Sequence, residues 1–188
     1  MGIFDSLNNA AFQAAGSVAS PALTATMQYL APSYYVVLLA IILYLYLRKD
    51  KNVFSFAAAA VLLAVADEII KDIVKEPRPC TAQPLPWTGG YCESGFGFPS
   101  NHASTLSGLL FFIKGYRYLR WMYLIWLALV LFGRVYLGVH YFTDVIAGIV
   151  ISVVVAAIIY KLRHRINHIL ASIAHRIAPF LFKREWVG

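Results

Sequence analysis

Apolar positions along this chain come in runs too long for the core of a water-soluble domain. No charged residue occurs between Asp5 and Arg48, and residues 34–47 are uniformly apolar or aromatic. A membrane-crossing helix needs about 20 such residues. The run 34–47, extended back toward residue 27, therefore predicts a first transmembrane helix, closed by Arg48, Lys49, Asp50 and Lys51. The same reasoning predicts spans at 53–70, 102–113, 121–133 and 141–160. Residues 8–26 are rich in Ala, Ser, Asn and Gln and contain Pro21, which predicts a helix lying in the membrane interface. Were that segment to cross, the spans would number six rather than five. From Lys161 the pattern turns amphipathic: Leu162, Ile166, Ile169, Leu170, Ile173, Ile177 and Phe180 share one face, and Arg163, Arg165 and Arg176 stay largely off it. That predicts an interfacial tail helix. Between residues 77 and 99 Pro and Gly force turns, so no helix runs there. The expected architecture is an all-α polytopic membrane helix bundle forming one domain over 1–188. It has an N-terminal interfacial segment at 1–30, an external loop at 75–101 and a basic amphipathic tail at 161–188.

Composition agrees with the pattern. Of 188 residues, 60% are hydrophobic and only 13% charged, against about 25% charged in a soluble domain. The net charge of +7 does not indicate a nucleic-acid partner, because the basic residues sit at the ends of apolar runs and form no stripe. Their placement fixes an orientation instead. Arg48, Lys49, Lys51, Lys114, Arg117, Arg120, Lys161, Arg163, Arg165, Arg176, Lys183 and Arg184, twelve of the sixteen, fall on one side. The positive-inside rule assigns that side, with the C-terminus, to the cytoplasm. The opposite side keeps Lys71, Lys75, Arg78 and Arg134 with seven of the nine acidic residues. Residues 1–9 show no basic stretch leading into a compact apolar one, so no cleaved leader is read and the first span acts as the insertion signal.

The charges left on the outer side are the informative ones, since ionisable groups at span ends are costly unless they serve a purpose. They fall in three short segments: Lys71, six residues, Arg78-Pro79; Pro99-Ser100-Asn101-His102; and Arg134, five residues, His140, three residues, Asp144. Each lies at the outer end of a different span. Lys71, Arg78 and Arg134 supply three cations, two of them planar forks that match phosphate oxygens. Ser100 before a helical run offers a hydroxyl and backbone N–H groups to an anion. His140 and Asp144 share a helix face, so the carboxylate can hold the Nδ1 proton and leave Nε2 free to attack phosphorus. His102 can protonate the leaving oxygen. No complete metal site is visible.

These segments resemble the three-part signature of the type 2 phosphatidic acid phosphatase (PAP2) superfamily. Length, loop layout and tail resemble its small branch of undecaprenyl-pyrophosphate phosphatases. The resemblance implies that His140 is the nucleophile, Asp144 orients it, and His102 is the general acid and later the base. It implies that Lys71, Arg78, Ser100, Asn101 (through its N–H) and Arg134 hold phosphate, with no metal or other cofactor. Two positions depart from the common pattern: Asn101 stands where Gly is usual, and Gly133, where Ser is usual, lacks a hydroxyl that could touch phosphate. The implied activity is hydrolysis of a polyprenyl diphosphate to the monophosphate at the outer face of the cytoplasmic membrane, through a phosphohistidine. Phosphatidylglycerophosphate or phosphatidate hydrolysis, or phosphoryl transfer to another lipid, would use the same residues. A non-catalytic lipid-phosphate binder or transporter would need neither a general acid nor an oriented imidazole. The expected partner is a membrane lipid phosphate; oligomeric state is not read from the sequence.

Other residues have plainer readings. Asp67, four residues before Lys71, is expected to pair with it. Lys75 and Glu76 are read as solvated, with Glu76 able to position Arg78. Cys80 and Cys92 face outward, where a disulfide can persist, and one is expected over two free thiols. Tyr34, Tyr35, Tyr44, Tyr46, Trp121 and Trp126 are expected as interface-belt anchors. Trp87 is expected either to dip into lipid or to lid the site. His164, His168 and His175 are read as solvated or interfacial.

Overall fold

The computed structural model describes residues 2–182 and 186. Lys183 and Arg184, counted above toward the basic side, lie outside the described residues. The chain is 75% helical, with no strand among the described residues. Helix α1 (Ile3–Ser17) starts where the Gly2 amide donates to Asp5 Oδ2 at 2.9 Å. Helix α2 (Pro21–Leu30) starts on Ser20, whose hydroxyl accepts from the Leu23 amide, with Pro21 in the first turn. Then follow α3 (Ser33–Leu47) and α4 (Asn52–Val74). Helix α4 stops at Lys75, which turns left-handed with φ 53°, just before Pro77. A short helix α5 (Pro79–Ala82) and a single 3₁₀ turn (Pro86–Thr88) punctuate the loop between α4 and α6, which is pinned by a disulfide between Cys80 and Cys92. Helices α6 (Asn101–Leu109), α7 (Arg117–Tyr136) and α8 (Phe142–Ile177) complete the chain.

Among the described residues three segments are long and apolar enough to cross a membrane, Asn52–Ala82, Arg117–Tyr136 and Phe142–Ile177; a fourth is the pair α2–α3 if its 44° bend is one broken span. The expected span at 102–113 corresponds to α6 and the turns after it. Nine helical residues are too few to cross alone, and α6 is held instead by α4 and α8, the pair it packs against most extensively. The expected interfacial stretch at 8–26 is divided: α1 packs on α7 and α8, while α2 leads into α3. The tail is not a separate helix. α8 runs unbroken through Lys161 for 36 residues, because nothing near residue 161 breaks a helix and its apolar face continues.

Burial is inverted relative to a soluble protein. Val36, Leu39, Val61, Ile125, Val150 and Val154 point outward, while Asp67, Ser100, Ser104, Arg134, His140 and Asp144 are buried. Such a surface suits hydrocarbon, and such an interior suits a polar site within a bundle. The chain is an integral membrane protein. Helices α6 and α8 approach so closely at Gly148 that a Cβ there would lie 2.7 Å from the Ser100 carbonyl oxygen. Only glycine lets α8 sit this near the start of α6.

Candidate active site

The C-terminal ends of helices α4 and α7 and the starts of α6 and α8 meet at one end of the bundle, around a cavity of about 380 Å³. Lys71, Arg78, Asn101, His102 and His140 all line it. Ser100, Arg134 and Asp144 stand behind this lining, fully buried.

The first turn of α8 builds the His140–Asp144 pair. Asp144 is the third helical residue, and its Oδ2 reaches back to accept from the Tyr141 amide at 2.9 Å. This is an N-terminal capping contact, and it holds the same oxygen 3.5 Å from His140 Nδ1. At that separation the contact is long for a hydrogen bond; such catalytic contacts commonly shorten once substrate is bound. On the other side of the ring, His140 Nε2 lies 3.4 Å from Arg78 Nη1. Burial first, and then the charges of Arg134 and Arg78, hold the His140 imidazole well below its ordinary pKa, so the ring is neutral at physiological pH.

Arg78 is fixed by backbone carbonyls. Nη1 donates to Val139 at 2.8 Å, and Nε donates to Ser94 and Gly95 at 3.3 and 3.2 Å. Lys71 Nζ is paired with Glu68 at 2.8 Å. Asn101 Oδ1 accepts from the Thr105 hydroxyl at 2.9 Å, and the Ser100 amide donates to the Asp144 carbonyl at 3.2 Å. A cis Phe98–Pro99 bond leads into Ser100. Among the described residues, seven buried side-chain atoms have no hydrogen-bond partner, and five of them belong to Ser100, Arg134, His140 and Asp144. Buried polar atoms are normally satisfied. Their concentration at one place marks a site organised for a polar ligand.

Several plainer expectations are corrected. Asp67 accepts from the Ser104 hydroxyl of α6, and Lys71 pairs with Glu68 in its place; the inward face of α4 meets α6 before it meets its own next turn. Tyr34 and Tyr35 line the cavity, and Tyr34 stands edge-on to His102 with ring centroids 4.7 Å apart, so Tyr34 is not a belt anchor, while Tyr35 stays exposed. Trp126 donates to the Ser33 hydroxyl at 3.1 Å, which ties α7 to α3. Trp87 does not line the cavity. Its Nε1 donates to the Tyr136 carbonyl at 3.0 Å and its ring lies against Gly16, which fastens the α4–α6 loop to α1 and α7. Glu76 faces Asp144, not Arg78. A Cβ at Gly133 would meet Met27 Sδ at 3.0 Å, so that position faces α2.

The sequence reading missed Glu93. This loop carboxylate is ion-paired with Arg134 through Oε2, which also lies 3.7 Å from Arg78 Nη2, and its Oε1 accepts from the Tyr91 hydroxyl at 3.4 Å. Burial alone would raise its pKa, but the Arg134 hydrogen bond and the charges of Arg134 and Arg78 prevail and hold it below the usual carboxylate range. An ionised carboxylate thus occupies the place between two guanidinium groups that an anionic ligand would take. The signal was present: Glu93 is the one acidic residue between Glu76 and Asp144.

Fold and site together define a membrane-embedded α-helical bundle with a cationic, histidine-bearing cavity at one end. The family model of the PAP2 superfamily matches residues 52–168, and the chain belongs to that superfamily. A lipid A 4′-phosphatase of Porphyromonas gingivalis is 28% identical over 143 residues, covering 69% of this chain and 61% of that protein. Mouse sphingosine-1-phosphate phosphatase 1 is 28% identical over 130 residues, covering 64% of this chain and 30% of its own length. The chain thus spans less than two thirds of these relatives. Two solved structures share the fold. The PAP2 type phosphatidylglycerolphosphate phosphatase from Bacillus subtilis has a TM-score of 0.68 at 21% identity, covering 88% of both chains. Aquifex aeolicus LpxE has 0.68 at 22% identity, covering 86% of this chain and 99% of that one.

Proposed function

We propose that this protein is a membrane lipid phosphatase that works through a covalent phosphohistidine on His140. The observation that carries this reading is the His140 ring itself, neutral, backed by Asp144 on Nδ1 and presenting Nε2 beside Arg78 in a cavity that His102 also lines. Nε2 attacks the terminal phosphorus and forms an N–P bond while the P–O bond to the lipid breaks. Burial and the Arg134 charge hold the His102 pKa down at about 3 in the resting site. The His102 imidazole gains a proton as the phosphate dianion binds beside it, delivers that proton to the departing oxygen, then takes one from a water that attacks the phosphohistidine. Inorganic phosphate leaves and His140 is restored. Lys71, Arg78 and Arg134, with the Ser100 hydroxyl and the Asn101 amide, hold the phosphate oxygens and the charge that builds on them. The Arg134 Nε and Nη1 and Ser100 Oγ, buried without partners, are available for that role.

The substrate proposed is a polyprenyl diphosphate of the undecaprenyl type, cut to the monophosphate on the outer side of the cytoplasmic membrane. The resemblance of motif, length and tail to that small branch supports it, as does the concentration of basic residues at the other end. A second reading, hydrolysis of a lipid phosphomonoester, draws support from relatives named for lipid A, sphingosine-1-phosphate and phosphatidylglycerolphosphate.

The test is phosphate release in detergent from undecaprenyl pyrophosphate, phosphatidylglycerophosphate and phosphatidate, side by side with EDTA present. Release that EDTA leaves intact and His140→Ala abolishes is expected, fastest on the diphosphate. Preference for a monoester would move the substrate and keep the mechanism. No release from any of them, or full release by His140→Ala, would overturn the phosphohistidine reading.

A further inference from the structure

The opposite end of the bundle carries a second cavity, of about 540 Å³. The turn between α3 and α4 forms one wall and α8 the other. Lys49, Lys51, Arg163, His164 and His168 line it, with Asp50 the one carboxylate among the described lining residues. Asp50 is already engaged: Oδ2 accepts from the Tyr116 hydroxyl at 2.8 Å and Oδ1 from the Asn52 amide at 2.9 Å.

The walls are built, not merely adjacent. The Arg163 guanidinium lies 4.1 Å over the Tyr160 ring and donates Nη1 to the Tyr160 carbonyl at 2.9 Å. Lys114 lies 4.3 Å over the same ring. One aromatic ring thus positions two cations. Asn167, buried behind the cavity, accepts from the Ser55 amide at 3.0 Å and locks α8 to α4. Trp186 also lines the cavity and stacks on Tyr46 with centroids 5.4 Å apart.

Depth supplies the second argument. Tyr160 and His168 lie 18 and 26 residues beyond the start of α8 at Phe142, beside the candidate active site. At about 1.5 Å per residue that is roughly 27–39 Å along the axis, which matches a hydrocarbon core of about 30 Å. The cavity therefore sits at the level of the headgroup phosphates of the far leaflet. Neighbouring Leu47, Ile158 and Leu162 are exposed and apolar, as acyl chains require and a soluble anion does not.

We propose that this cavity binds the headgroup phosphate of an anionic phospholipid in the leaflet opposite the active site. A guanidinium fork, ammonium groups and imidazole N–H donors are the chemistry that recognises a phosphate, and anionic headgroups are the source at this depth. Inorganic phosphate shares the recognition chemistry but not the acyl chains.

The full chain, exchanged from detergent into nanodiscs of phosphatidylcholine doped with phosphatidylglycerol, is re-extracted and its retained lipid counted by native mass spectrometry. Phosphatidylglycerol is expected to be retained at least tenfold over phosphatidylcholine, and Arg163→Gln with His168→Gln to abolish that preference. Helix content and phosphate release at the far end should stay unchanged. Because Arg163 also packs on Tyr160, His164→Gln with His168→Gln, two exposed positions, serves as the milder variant and should reduce the preference severalfold. Equal retention of both lipids, or an unchanged preference in both variants, would overturn the site. Displacement of the lipid by equimolar inorganic phosphate would overturn the assignment to a lipid.

Discussion

At the scale of single residues, the site is a competition among charges for two guanidinium groups. Glu93 holds Arg134 in the resting structure and approaches Arg78. On the function proposed above a lipid phosphate takes that place, so removing the charge should help it bind. Glu93→Gln is expected to lower KM severalfold with little change in kcat, and to make inorganic phosphate a stronger inhibitor, as initial rates will show. A rise in KM would instead make Glu93 part of the substrate site. His140 gives the pH dependence. Its folded pKa lies well below the ordinary 6.5, so the folded state binds fewer protons there than the unfolded chain. Stability then rises with pH up to about 6.5 and is lost on acidification below it. His140→Gln should flatten that acid limb in melting curves taken in detergent from pH 5 to 8; an unchanged limb would assign it to other groups.

At the scale of elements, the start of α6 and the first turn of α8 must touch for the three motifs to meet. Gly148 permits this contact, since a side chain there would strike the Ser100 carbonyl. Gly148→Val should destabilise the fold by about 1–3 kcal/mol through overpacking and lower activity beyond what stability explains. Gly115→Ala, where a Cβ meets nothing within 4 Å, should be silent in both measurements. The outer loop is a second such element. The Cys80–Cys92 disulfide closes 12 positions of sequence beside Arg78 and Glu93. Reduction should lower stability by roughly 2–3 kcal/mol on the loop-closure account, read as a lower melting temperature. It should also weaken the Glu93 contact, so that KM falls in the direction of Glu93→Gln.

At the scale of the whole molecule, polar groups converge at one end and basic ones at the other, with an apolar outer surface between. The orientation proposed for it predicts the outcome of labelling. A cysteine placed at Gly90 in the outer loop should react in intact cells with a membrane-impermeant maleimide. One placed at Tyr118, exposed at the start of α7, should react only after permeabilisation. The reverse pattern would turn the protein over in the membrane and put its cavity in the cytoplasm.

The sequence by itself determined the class of fold, because the length of an apolar run is a property of neighbouring residues and so is the charge that ends it. It also determined which residues enter the cavity from three helix ends: Lys71, Arg78, His102 and His140 carry their chemistry in their own side chains and local spacing. Only the tertiary structure decided which partner each group takes. Glu93 meets Arg134 across 41 positions of sequence, Ser104 meets Asp67 across 37, and Trp87 meets Tyr136 across 49. Helical periodicity carries no information across a turn-rich loop, so none of these pairings could be read from spacing. The basic cavity at the far end has the same origin. The α3–α4 turn and the stretch of α8 from Tyr160 that faces it are more than 100 positions apart in the chain, and only their packing against one another turns scattered lysines, histidines and an arginine into a single lined space.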